Sequence, residues 1–131
     1  MKRRILIVED NVGLSQMQKD WFAQAGYDAV TAISEPIARS LIRKTTFDMI
    51  LSDVRLPEGD GISLLEWLRR EKKDIPFIIT TEYVSVPDVV RTIKLGAIDY
   101  LPKPVHREHL LELAEDVFKP MVTVRKKEKV M

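Results

Sequence analysis

The sequence predicts an α/β fold, a three-layer (βα)5 sandwich built around a five-stranded parallel sheet. Short apolar runs alternate with longer segments of helical period along the 131 residues. Three of those runs are continuous rather than alternating, as expected of strands covered on both faces. Four of them stop at a carboxylate, a hydroxyl or an ammonium group.

The first strand is expected at residues 4–8, where Ile5-Leu6-Ile7-Val8 ends at Glu9-Asp10. Leu14, Met17, Trp21, Phe22 and Ala25 then recur at helical spacing, and Gly26 supplies a stop. A second strand falls at 28–32. Ser34 suits the N-cap of the next helix and Pro36 its first turn. The third strand, 48–52, carries Met49-Ile50-Leu51-Ser52 into Asp53, and residues 53–61 read as a turn. Residues 61–72 put Ile62, Leu65 and Leu68 on one helical face. The fourth strand, 76–80, runs Phe77-Ile78-Ile79 into Thr80, and a helix over 86–95 ends at Gly96. The fifth strand, 98–101, leads to Lys103 with Pro104 behind it. A last helix, 106–118, carries Leu110, Leu113, Ala114 and Val117.

Right-handed crossovers leave few topologies open. The flavodoxin-like order 2-1-3-4-5 sets strands one and three side by side at a switch point, which is where open α/β sheets place their sites. Glu9-Asp10 and Asp53 would then be neighbours, with Thr80 and Lys103 on the same edge.

The bulk numbers agree with a single domain over 1–118, followed by a basic tail or linker stub over 119–131. A chain of this length buries roughly two-thirds of its unfolded surface. Apolar content is 45% and charged content 31%. Net charge of +1 gives no case for nucleic-acid or membrane-surface binding. The absence of cysteine excludes disulfides and cysteine-based zinc sites. No run approaches the roughly 20 apolar residues of a membrane helix, and Met1-Lys2-Arg3-Arg4 precedes too short an apolar stretch for a secretory signal. A cytoplasmic location is expected.

Glu9, Asp10 and Asp53 would repel one another unless a cation or protons intervene. A hard divalent cation such as Mg2+ suits three carboxylates, because it takes oxygen ligands and keeps several waters. Each residue also has a plainer reading. Glu9-Asp10 could cap the following helix, Asp53 could be a turn or capping aspartate, Thr80 a β-branched strand end and Lys103 a surface lysine. His106 and His109 read as surface residues rather than metal ligands. The order of the four strand ends is harder to reach by chance.

The set resembles the receiver domain of bacterial two-component response regulators over about residues 4–118. The matching motifs are Glu9-Asp10, Asp53 with Leu56-Pro57 and Gly61, Thr80, and the stretch Gly96-Ala97-Ile98-Asp99-Tyr100-Leu101-Pro102-Lys103-Pro104. The resemblance implies a phosphorylation-activated switch rather than a conventional enzyme. Asp53 would accept a phosphoryl group from a sensor histidine kinase or phosphotransfer protein. Glu9, Asp10, Asp53 and the backbone carbonyl of Arg55 would hold Mg2+, and Thr80 and Lys103 would contact the phosphoryl oxygens. It implies a cis Lys103–Pro104 bond and switch roles for Thr80 and Tyr100. It also implies an output face made by the fourth helix, fifth strand and fifth helix, which would meet an output domain, a target protein or a second copy in a homodimer. The fifth-strand stretch looks most like receivers of transcriptional regulators.

Three residues depart from the family pattern or flank it. Thr81 stands where alanine or glycine is usual and should narrow the path to the site. Arg55 and Glu82, each two residues past a key position, suggest an ion pair across the opening that slows water's attack on the acyl phosphate. The alternative is that both charges are simply solvated. Three functions rival the phosphorylation-activated switch: a pseudo-receiver that binds partners without phosphate, an aspartate-nucleophile phosphatase, and a flavin-mononucleotide carrier. The phosphatase wants a second acid where Arg55 stands. The carrier wants a phosphate loop where Glu9-Asp10 would repel phosphate.

Overall fold

The computed structural model describes residues 2–119. Residues 120–131, most of the expected basic tail, lie outside them. The main sheet has five parallel strands, β1 (Arg4–Val8), β2 (Asp28–Ala32), β3 (Met49–Asp53), β6 (Phe77–Thr81) and β7 (Asp99–Pro102), in the order β2-β1-β3-β6-β7. This is the expected topology. Four helices connect them, α1 (Val12–Gln24), α2 (Glu35–Lys44), α3 (Gly61–Arg70) and α4 (Val86–Lys94), and α5 (Arg107–Val117) follows the last strand. Strands three to five begin and end one residue later than expected, so Asp53 closes β3 inside the ladder opposite Thr80. Residues 53–61 also hold more than a turn: Arg55–Leu56 (β4) and Gly59–Asp60 (β5) form a two-residue hairpin.

Two apolar layers hold the sheet. On one face α2 and α3 bury Ala38, Ile42, Ile62, Leu64, Leu65, Trp67 and Leu68 against Leu6, Val8, Ile50 and Ile79. On the other, α1 and α5 cover Ile5, Ile7, Leu51 and Ile78 with Phe22, Leu110 and Ala114. Each fully buried Leu or Phe contributes about 1.5–3 kcal/mol of apolar transfer free energy. The strand runs are continuous because both faces are covered.

Local signals act as expected at several ends. Ser34 caps α2 with Pro36 in its first turn; at α3 a cap not marked in the sequence, Asp60, accepts from the Ser63 N–H at 2.7 Å. Gly26 and Gly96 end α1 and α4 at φ of 93° and 78°, conformations a side chain disfavours. The α1 stripe keeps the expected helical spacing but is only partly buried. The buried residues of the helix are Ser15, Gln18 and Phe22, while Met17 and Ala25 are exposed and Leu14 and Trp21 only half-buried. Leu14 and Met17 instead line a cleft of about 290 Å³ with Lys103, Pro104 and Val105. The C-terminal part of the stripe, Trp21 and Phe22, packs into the core beside Ile5 and Ile7, while its N-terminal part borders that loop.

α4 sits most loosely. Thr92 is its fully buried residue, whereas Val86, Val90 and Ile93 project outward. It is tied to α3 by the Arg91–Glu66 ion pair. Arg69 of α3 adds a bond to the Leu95 carbonyl at 2.8 Å.

Candidate phosphoryl-acceptor site

The carboxyl ends of β1, β3, β6 and β7 meet at one crevice. Glu9 continues the β1 ladder, its N–H donating to the Ala32 carbonyl at 2.9 Å, and is only 3% exposed. One Glu9 oxygen accepts from the Asn11 N–H at 3.0 Å, and the other accepts from Lys103 Nζ at 2.7 Å. The same ammonium donates to Asp53 Oδ2 at 2.9 Å. Lys103 therefore bridges two buried acids and is not a surface lysine. Its backbone N–H, bonded to the Thr81 carbonyl at 2.8 Å, carries the β6–β7 ladder one step further and sets where the side chain starts. The Lys103–Pro104 peptide bond is cis.

Gly61 explains why Asp53 can sit at this corner. The chain folds back so closely that a Cβ on Gly61 would lie 2.2 Å from the Asp53 carbonyl oxygen. The Gly61 N–H bonds the Val54 carbonyl at 2.8 Å, and the Val54 N–H bonds the Thr80 carbonyl at 2.9 Å. Thr80 is buried beside Asp53 on the neighbouring strand.

Oxygens of Glu9, Asp10 and Asp53 converge within 4.8 Å of one another. Three ionised carboxylates against one ammonium leave two negative charges uncompensated, a set of hard oxygen donors that fits a small divalent cation. His106 and His109 are exposed and belong to no such cluster among the described residues. Burial pushes the Glu9 carboxyl above its ordinary 4.5, against the opposing pull of Lys103 and the Asn11 N–H. Burial alone would lower the Lys103 ammonium, but its bonds to Glu9 and Asp53 outweigh that and hold it above its ordinary 10.5.

At the mouth the expected Arg55–Glu82 pair does not form; the Arg55 guanidinium lies over the Tyr83 ring, 4.8 Å from its centroid. The cause is Thr81. Its hydroxyl donates to the Tyr83 carbonyl at 3.0 Å and accepts from the Tyr83 N–H at 3.1 Å, folding the turn after β6 so that the ring meets the β4–β5 hairpin. Thr81 itself is buried, and Glu82 is exposed. No motif marks an aromatic three residues past a strand-end hydroxyl, so Tyr83 was not legible beforehand. Tyr100, on β7, has a buried hydroxyl without a hydrogen-bond partner among the described residues. Its ring borders a cleft of about 480 Å³ beside α4, lined also by Val84, Val89, Thr92 and Ile93.

Residues 5–115 match the family described as response regulator receiver domain. The chain belongs to that family. As a receiver domain it is 36% identical over 115 residues to transcriptional regulatory protein ZraR of Salmonella typhimurium, covering 85% of this chain and 25% of that protein. It is 30% identical over 112 residues to response regulator protein PilR of Pseudomonas aeruginosa, covering 86% and 25%. The receiver thus spans about a quarter of the length of these relatives. Among solved structures, the non-phosphorylated HemR receiver domain of Leptospira biflexa superposes with a TM-score of 0.82 at 35% identity, covering 91% of this chain and 98% of that one. A CheY-like receiver domain protein of Methanospirillum hungatei gives 0.85 at 27% identity with full coverage of both chains. Among the described residues, no helix is long and apolar enough to cross a membrane.

Proposed function

We propose that this receiver is a phosphorylation-activated switch in which Asp53 accepts a phosphoryl group from a phosphohistidine on a sensor histidine kinase or phosphotransfer protein. The observation that carries the reading is Lys103, half-buried and bonded to both Glu9 and Asp53 at the end of β7. In the transfer, an Asp53 carboxylate oxygen forms a bond to phosphorus while the P–N bond breaks, and its electron pair stays on the imidazole nitrogen. Such a transfer needs positioning and charge compensation more than covalent help. The Lys103 ammonium is placed to follow the charge from the carboxylate to the new phosphoryl oxygens. Thr80 supplies a hydroxyl from the adjacent strand end. Glu9, Asp10, Asp53 and the Arg55 carbonyl would hold Mg2+. When bound there, the ion supplies charge neutralisation for the phosphoryl oxygens.

The apolar cleft of Leu14, Met17, Pro104 and Val105 borders the site at Lys103 and suits a docked kinase helix. Thr80 and Tyr100 would carry the switch. The Tyr100 hydroxyl makes no hydrogen bond to another described residue, so moving the ring between two positions would break none. The loosely held α4 and the cleft beside it leave room for that movement. The face of α4, β7 and α5, with Val86, Val90 and Ile93 exposed, would meet an output domain, a target or a second copy. Thr81 and the Arg55–Tyr83 contact would slow hydrolysis of the acyl phosphate.

Incubation with a small acyl phosphate and magnesium tests the reading by intact mass. One phosphoryl group is expected on the parent and none on Asp53→Asn. No gain on the parent overturns the reading in favour of a pseudo-receiver.

A further inference from the structure

Glu35 is a buried acid outside the crevice that the functional site does not use. It is the first residue of α2 and only 5% exposed. An acid belongs at a helix N-terminus, but an exposed one would suffice for that. This one reaches across to the loop after β3. One of its oxygens accepts from the Asp60 N–H at 2.8 Å, and the other is paired with Arg39. Arg39 is held in turn over the Trp67 ring, 5.1 Å from its centroid. The hairpin is shaped around the carboxyl group. Gly59 sits at φ 135°, and a Cβ there would be 2.2 Å from the Glu35 oxygen.

The gripped peptide matters because of what it pairs with. Asp60 lies opposite Arg55 in the β4–β5 ladder, Asp60 caps α3, and Gly61 bonds back to Val54. The Glu35 carboxylate therefore anchors the strand partner of Arg55, two residues beyond Asp53. We infer that Glu35 is a positioning residue for the cation site, a strap from α2 that fixes the Arg55 backbone so that its carbonyl can complete the oxygen set of Glu9, Asp10 and Asp53. The inference rests on the reading of that crevice as a magnesium-dependent phosphoryl acceptor. Such outer partners of a metal site carry weight, since losing one typically costs 10–100-fold in affinity.

Two conservative variants separate reach from charge. Glu35→Gln keeps an oxygen at the right length for the Asp60 N–H but loses the charge facing Arg39. Glu35→Asp keeps the charge but is one methylene too short to reach. Magnesium affinity is measured by calorimetry on the folded proteins, with thermal melts run alongside and Glu35→Ala as a third variant. Glu35→Asp and Glu35→Ala are expected to weaken magnesium binding about tenfold, with Glu35→Gln close to the parent. A strap that mattered to stability alone would move the melts and leave the affinity of the folded molecules unchanged. Parent-like affinity in Glu35→Asp overturns the inference while the phosphoryl-acceptor reading stands. If the parent itself neither binds magnesium nor gains mass at Asp53, that reading falls and the strap's role falls with it.

Discussion

Asp10→Asn is expected to make the magnesium-free protein more stable and the magnesium-loaded protein less so. The Asp10 oxygen lies within 4.8 Å of oxygens on both Glu9 and Asp53. At that separation each pair of like charges repels by about 1 kcal/mol in a water-like dielectric, the appropriate limit for an exposed group such as Asp10. Against the two repulsions stands the start of α1, whose dipole favours a nearby negative charge by about 0.5 kcal/mol. The net gain on removing the charge is therefore roughly 1 kcal/mol at low salt, shrinking as salt screens the exposed carboxylate. Magnesium reverses the order. At ten times its dissociation constant a ligand stabilises the parent by about 1.4 kcal/mol, and a variant short of one carboxylate forfeits most of that. Urea denaturation of parent and variant, at low and high salt, with and without magnesium, reads all four terms. A variant less stable than the parent without magnesium refutes the repulsion argument. Equal stabilisation of both by magnesium refutes Asp10 as a ligand.

Arg55→Ala and Tyr83→Ala should each shorten the half-life of the phosphorylated protein about 2- to 5-fold, the kinetic equivalent of a cation–π contact of about 0.5–1 kcal/mol. Glu82→Ala should leave it unchanged, and the reverse pattern would restore the ion pair that the geometry replaces. Because burial raises the Glu9 carboxyl above 4.5, the folded state binds that proton more tightly than the unfolded chain does. The associated stability is present below 4.5 and lost as pH rises through the raised value. Denaturation curves from pH 4 upward should therefore fall less steeply for Glu9→Gln than for the parent, and identical slopes would contradict this. Gly61→Ala should cost roughly 2–3 kcal/mol by overpacking, since the new Cβ would meet the Asp53 carbonyl at 2.2 Å. Thermal melts would check the cost, and a neutral substitution would mean the corner relaxes freely.

Much of the site was legible because it is written at strand ends. A parallel strand buried on both faces must be a continuous apolar run, so the residue that ends it is conspicuous, and topology gathers those ends on one edge. Glu9, Asp10, Asp53, Thr80 and Lys103 were found in this way. The contacts among them were not, because partner choice depends on approach in space. Lys103 could have been solvated; the β6–β7 register carries its side chain to Glu9 and Asp53.

The sequence by itself determined the alternation of five strands with five helices, the polar residues at the strand ends and the helix limits set by Ser34, Gly26 and Gly96, because these follow from local burial and backbone preference; the strand order that gathers those ends was one of a few that crossover handedness leaves open. Tertiary structure alone decided which face α1 buries, that Arg55 pairs with Tyr83 instead of Glu82, and that Glu35 reaches the Asp60 peptide 25 residues away. Those choices turn on side chains from distant segments competing for the same few ångströms, and no periodicity along one chain records the outcome.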